Sequence, residues 1–186
     1  MSPAPRPSPG ASGHLDVVRT QLRAHVPIDA AERRSLQRTL TLLAWLRAPL
    51  DEHADPIHVT GSAIVRDAGG RVLLHRHKRL GIWLQPGGHL DPGELPSDGA
   101  VRETLEETGL VATHPGGAPT LVHVDVHEGP RGHVHLDLRY LLHADGTAAF
   151  APAAGESRDV AWCTGPEAFE RSDASLRSAL VAVARR

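Results

Sequence analysis

The spacing of apolar residues changes along the chain, and each change marks a different kind of element. Leu15, Val18, Leu22 and Val26 recur at helical spacing until Pro27 interrupts them. Asp29 then reads as an N-cap with Glu32 three residues on, a capping-box arrangement. Leu36, Leu40, Leu43 and Leu46 continue the helical period as far as Pro49. From Pro56 the pattern becomes strand-like. Ile57 to Val65, a polar turn at Asp67-Ala-Gly-Gly70, and Val72 to Leu74 predict a hairpin. A helix is expected over about 98–108, with Ser97 as N-cap and Gly109 as its stop. Leu121 to His127 and His133 to Leu142 alternate apolar and polar, as half-buried strands do. Val160 to Trp162 is a further short strand, and Phe169, Leu176, Leu180 and Val183 mark closing helices. Strands and helices are interleaved, so the fold class is α/β or α+β in layers.

The first twelve residues, with four prolines, give neither period and read as a disordered tail. The expected organisation is therefore a tail over 1–13, a helical extension over 14–50 and a globular domain over 51–186, the last two packed as one unit. The extension is expected to cap a cleft or to form a homodimer contact.

Composition narrows the function. Twenty Lys+Arg against 22 Asp+Glu leave a net charge of −2, with no basic field for indiscriminate nucleic-acid binding. No apolar run approaches the roughly 20 residues of a membrane span, so no membrane partner is expected. A single cysteine, Cys163, excludes an internal disulfide and a cysteine-cluster zinc site. With no apolar leader at the start, the expected location is cytoplasmic.

The chemistry is concentrated between Gly88 and Leu110. On a helix, Glu103, Glu106 and Glu107 stand at i, i+3 and i+4, on one face within about one turn. Val101, Leu105 and Thr108 are expected to pack on a sheet opposite them. Three carboxylates so close repel one another, and a divalent cation is the natural compensation. All-oxygen ligands suit Mg²⁺ or Mn²⁺ rather than zinc. Pro86-Gly87-Gly88 lets backbone approach a ligand closely. Arg102 can tie Glu94 to the helix or reach a phosphate.

The spacing Gly88-x5-Glu94-x7-Arg102-Glu103-x-x-Glu106-Glu107-x-Gly109-Leu110 resembles the signature box of the Nudix (MutT-like) hydrolases. The resemblance covers about 57–162 and departs at Thr104, where that family prefers an aliphatic residue. It implies an α/β/α sandwich around a mixed sheet. It implies Glu103, Glu106 and Glu107, with the Gly88 carbonyl, as ligands of Mg²⁺ or Mn²⁺. Glu94, Arg102 and Gly109 become supports of the box. The activity implied is hydrolysis of a diphosphate linkage in a nucleoside diphosphate joined to another moiety, with Glu103 as first choice of base and Glu156, outside the box, as second. The alternative is a non-catalytic module of the same fold that binds a nucleotide and regulates a partner.

Beyond the box, His135, Asp137 and Arg139 alternate along one strand face and are expected to line a cleft for a small nucleotide or diphosphate substrate, with Arg139 holding a phosphate. His123, Asp125 and His127 repeat the pattern one strand earlier. Arg76 belongs to a basic cluster, His75 to Arg79, that reads as an anion funnel. Selectivity is expected in the loops 114–119 and 128–132. Marks that distinguish the ADP-ribose, NADH and coenzyme A branches of the family are missing.

Overall fold

The structure is a computed structural model and describes residues 9–129 and 132–186. Residues 1–8 of the expected tail, and Pro130 and Arg131 of the second selectivity loop, lie outside the described residues. The tail boundary needs correction. Helix α1 (Pro9–Ala24) starts at Pro9, before the expected start at His14. Proline suits a first helical turn, where its missing N–H would have no partner.

Helix α2 (Ala30–Leu43) is capped by Asp29, whose carboxylate accepts from the Ala31 and Glu32 N–H groups. The expected capping box is only half formed. Glu32 does not return to Asp29. It is buried and accepts from the Ile28 N–H at 2.6 Å and the Val124 N–H at 2.9 Å, with His25 Nε2 at 2.6 Å. The longer reach joins α2 to a strand 92 residues away.

Among the described residues, eight strands form one mixed sheet. They are β1 (Ile57–Arg66), β2 (Val72–Arg76), β3 (Trp83–Leu84), β4 (Gly87–His89), β5 (Ala112–Thr113), β6 (Leu121–Glu128), β7 (Val134–Ala144) and β8 (Val160–Cys163). The central pair, β1 and β7, is parallel from Ile57↔Val134 to Arg66↔His143, and every other pairing is antiparallel. On its other edge β1 pairs with β2 near Arg66 and with β4 at Thr60 to Ser62. The β1–β2 turn closes as expected, with Gly70 at φ +78° and Asp67 bonded to Arg71.

Period 2 along the paired central strands decides the layers. Val59, Ala63 and Val65 of β1, with Leu136, Leu138, Tyr140 and Leu142 of β7, form one apolar face. Val18 and Leu22 of α1, Leu36 and Leu43 of α2, and Ala100 of α3 (Pro96–Thr108) belong to the same core. The Tyr140 hydroxyl donates to Gln21 of α1 at 2.7 Å. The opposite face carries Ile64 and Val122 against α4 (Gly165–Arg171) and α5 (Ala174–Ala184). The result is an α/β/α sandwich in which α1 and α2 extend the α3 layer. The loop after β5 lies on that side too, with His114 edge-on to Tyr140.

β1 and the start of α3 approach each other closely in this core. A Cβ on Gly61 would stand 2.2 Å from the Pro96 carbonyl oxygen, and neither backbone can yield. Gly61→Ala is therefore expected to lower stability by roughly 1–3 kcal/mol, read as a lower denaturation midpoint.

Candidate active site

Helix α3 carries the acidic box. It starts two residues earlier than the expected range, with Pro96 as its first residue and Leu95, not Ser97, as N-cap. It ends at Gly109, which adopts φ +76° and donates its N–H to Leu105 O at 2.7 Å. A Cβ at Gly109 would meet the Ala151 backbone at 2.5 Å. The chain from Ala151 to Glu156 is pinned to the end of this helix, because Ala151 N–H donates to Thr108 O and Ala153 N–H to Glu106 O.

The packing face is rotated from the expected one. Ser97, Ala100, Thr104 and Thr108 are buried, while Leu105 is exposed. Thr104, the departure from the aliphatic box position, satisfies its hydroxyl by donating to Ala100 O at 2.7 Å. A polar residue is thus tolerated in the core at that point.

The three carboxylates differ in environment. Glu106 is half exposed, at 48% of its side chain, whereas Glu103 and Glu107 are at 15% and 11%. Burial pushes the Glu103 carboxyl above its usual range, against the pull of Arg102. Burial pushes Glu107 up to about 8, helped by the charges of Glu103, Glu156 and Glu106 and opposed by the Gly87 N–H at 2.9 Å. His75 Nε2 lies 3.4 Å from Glu107. Burial and the charge of His77 lower His75 to about 4, so at neutral pH this imidazole is uncharged and Glu107 holds the proton.

Arg102 organises the cluster. It grips Glu94 in a fork, Nε to Oε1 at 3.0 Å and Nη2 to Oε2 at 2.9 Å. Its Nη1 donates to Glu103 at 2.9 Å and Glu106 at 3.1 Å, and Nη2 also donates to His89 O at 2.7 Å. Glu94 further accepts the Asp91 N–H. Loop and helix are locked by this one guanidinium, whose own proton is held more tightly by Glu94. A lysine has one point charge and no fork. Arg102→Lys is expected to lower Mn²⁺ affinity by ~10–100-fold with the fold intact, measured by Mn²⁺ titration.

These residues fit a hard divalent cation. The donors are oxygens, they crowd one helical turn, and without a cation the most buried of them retains a proton. Gly88 leaves the necessary room, since a Cβ there would lie 2.5 Å from Glu103 Oε1.

The other expected site residues divide. Glu156 is exposed on the pinned loop, close enough for its charge to raise Glu107. Lys78 Nζ donates to Gly155 O at 3.0 Å, which sets the basic cluster beside that loop. Arg76 turns away, donating to Gly81 O and pairing with Asp159, while its neighbour His75 reaches Glu107. Arg139 corrects the expectation of a free phosphate ligand. It is 4% exposed and is occupied by Asp137, Asp125 and Ser175 Oγ. Asp137 is equally buried and accepts from Thr60 and Ser62. The start of α5 covers this part of the strand face, so these two side chains brace the sheet rather than line a cleft. His135 sits instead among other imidazoles. The sequence places His75 only in the basic cluster, because its approach to Glu107, 32 residues on, is made by the tertiary fold.

A sequence model of the NUDIX domain matches residues 56–182. The chain belongs to the Nudix hydrolase family. This Nudix chain is 31% identical over 136 residues to a MutT-like protein of Streptomyces ambofaciens, covering 70% of itself and 79% of that relative. A "Putative 8-oxo-dGTP diphosphatase" of Bacillus subtilis is 47% identical over 49 residues, and the chain spans 33% of that relative's length. Among solved structures, a NUDIX-family hydrolase from Clostridium perfringens superposes with a TM-score of 0.58 at 26% identity, over 69% of this chain and 97% of that one. An Ap4A hydrolase of C. elegans has the same fold, with a TM-score of 0.58 at 21% identity over 68% of this chain and 95% of that one. Among the described residues no helix is long and apolar enough to cross a membrane.

Proposed function

We propose that this Nudix chain is a pyrophosphohydrolase, dependent on Mg²⁺ or Mn²⁺, that cleaves the diphosphate linkage of a nucleoside diphosphate joined to another moiety. The observation that carries the reading is the cluster of Glu103, Glu106 and Glu107 on one turn of α3, with burial driving Glu107 to about 8. Glu103, Glu106, Glu107 and the Gly88 carbonyl would hold the cation. When bound, it supplies charge neutralisation at the diphosphate and a lower pKa for water.

The chain's own residues supply the rest. Arg102 holds Glu103 and Glu106 in place through Nη1 and leaves their remaining oxygens available. Glu103, shielded beside Gly88 and with raised proton affinity, accepts the proton of the attacking water at a carboxylate oxygen. Glu156 is the second candidate for that role. The cluster around His77, Lys78 and Arg79 draws the anionic substrate toward the acidic helix. His75 stays neutral against Glu107 and adds no positive charge there.

The test is a phosphate-release screen with Mg²⁺ or Mn²⁺. The panel holds Ap4A, 8-oxo-dGTP, nucleotide sugars and nucleoside triphosphates, and Glu106→Gln is the control. Cation-dependent release from one class, lost in the variant, supports the hydrolase and names its substrate class. Release from none, with folded and cation-bound protein, contradicts it in favour of a ligand-binding module.

A further inference from the structure

Four histidines from three stretches of the chain meet at the end of the sheet where β1 and β7 begin. They are His58 on β1, His89 on β4, His133 just before β7, and His135 on β7. One ring nitrogen from each lies within 4.8 Å of the others. The ring centroids of His58 stand 5.0 Å from His89, 5.1 Å from His133 and 5.2 Å from His135. Chance alternation along one strand explains His133 and His135, but it does not explain two further imidazoles arriving from β1 and β4.

A hydrogen bond behind His58 and a carboxylate contact behind His89 turn these two rings inward. His58 Nδ1 lies 3.0 Å from the Asp55 carbonyl, which can only accept, so Nδ1 carries the proton. Nε2 is left with a free lone pair. It is buried, has no hydrogen-bond partner, and belongs to a side chain with no exposure. A buried nitrogen without a partner calls for an explanation. His89 Nδ1 faces the Glu52 carboxylate at 3.0 Å, the carboxylate–histidine arrangement that orients an imidazole toward a metal. Its Nε2 then presents a lone pair to His135 Nε2, 3.2 Å away. Gly129 makes room for His135, since a Cβ there would stand 2.5 Å from that ring.

We propose that His58, His89, His133 and His135 form a second metal site, which takes a borderline first-row transition ion, Zn²⁺ foremost, through imidazole nitrogens. Zn–N bonds of about 2.0–2.1 Å put the nitrogens of a tetrahedron roughly 3.3–3.4 Å apart. The His89–His135 separation, 3.2 Å, is close to that length, and the remaining pairs, all within 4.8 Å, need a short closure. The site is chemically distinct from the acidic face of α3. Nitrogen donors favour zinc-like ions over Mg²⁺ or Mn²⁺, so excess Mg²⁺ does not displace the ion from the imidazoles. Gly88 faces Glu103, so by alternation the His89 side chain points to the other side of β4. The bound ion would clamp β4, which leads into the box, to β1 and β7.

The test uses untagged full-length protein loaded with Zn²⁺ or Co²⁺ in excess Mg²⁺ and then passed through a weak chelator. The variants are a His58→Ala/His133→Ala double and a Glu106→Gln/Glu107→Gln double. The expected result is about one tightly held ion per chain in the wild type and in the glutamate double, lost in the histidine double. Zn²⁺ should raise the melting temperature of the first two and leave that of the third unchanged. No retained ion in the wild type, or retention in the histidine double together with loss in the glutamate double, overturns the proposal. Should the histidine double fail to fold, the X-ray absorption spectrum of the wild-type Zn²⁺ protein decides. A first shell of imidazole nitrogens supports the site, and a shell of oxygens alone rejects it.

Discussion

Glu107→Gln should reduce cation-dependent turnover by at least ~100-fold while leaving the cation-free protein as stable as the wild type or more so. The two effects have opposite signs because they concern different protonation states. Without a cation, burial and three neighbouring carboxylates push Glu107 up to about 8, so the folded protein keeps this group protonated at neutral pH. Glutamine mimics that neutral form and can still accept the Gly87 N–H through its carbonyl oxygen. In the cation-bound enzyme the carboxylate charge is required, and glutamine cannot supply it. The pH dependence follows from the raised value. Stability from this group is fully present below the ordinary glutamate pKa of about 4.5 and is lost as pH rises through about 8. In a chelator, the wild type should therefore soften between those limits, and Glu107→Gln should lack that part of the slope. Thermal melts across pH, alongside turnover, read both. Wild-type turnover in the variant would remove Glu107 from the site.

Glu32→Ala should destabilise the fold by about 3–5 kcal/mol, far beyond a typical surface change. The Glu32 carboxylate is 2% exposed and serves three partners: Ile28 N–H, His25 and the Val124 N–H of β6. Truncation leaves buried donors without an acceptor and removes the polar link between α2 and the sheet. Burial alone would raise this carboxyl, but the His25 and Ile28 hydrogen bonds and the charge of His123 outweigh it and hold it low. Its stabilisation is thus present above about pH 4.5 and is lost as pH falls through the lowered folded value. Chemical denaturation at neutral and acid pH checks both statements. A midpoint equal to wild type at neutral pH would mean that α1 and α2 contribute little to the fold.

The parts of the site that were legible in sequence are those encoded at short range. The i, i+3, i+4 spacing of the glutamates, the Gly109 stop and the Arg102–Glu94 tie all lie within one loop and helix. The orientation of that helix was less legible. Leu105 looked like the packing residue because it is apolar, yet Thr104 took the buried position by bonding its hydroxyl to Ala100 O. What failed was long-range. Arg139 belongs to a polar strand face, as expected, but its burial depends on Ser175 arriving from α5, 36 residues on. Nor could the histidine pattern of β7 announce His58 and His89, because only the parallel β1–β7 pairing and the β1–β4 pairing bring them together.

The central claim is that the acidic face of α3 is a cation site. It is tested most directly by titrating Mn²⁺ into the wild type and the Glu106→Gln/Glu107→Gln double, with no more than one equivalent of Zn²⁺ present to fill the imidazole cluster, and reading free Mn²⁺ by electron paramagnetic resonance. Saturable binding in the wild type that disappears in the double is the predicted result. Equal binding in both, or none in the wild type, would contradict it.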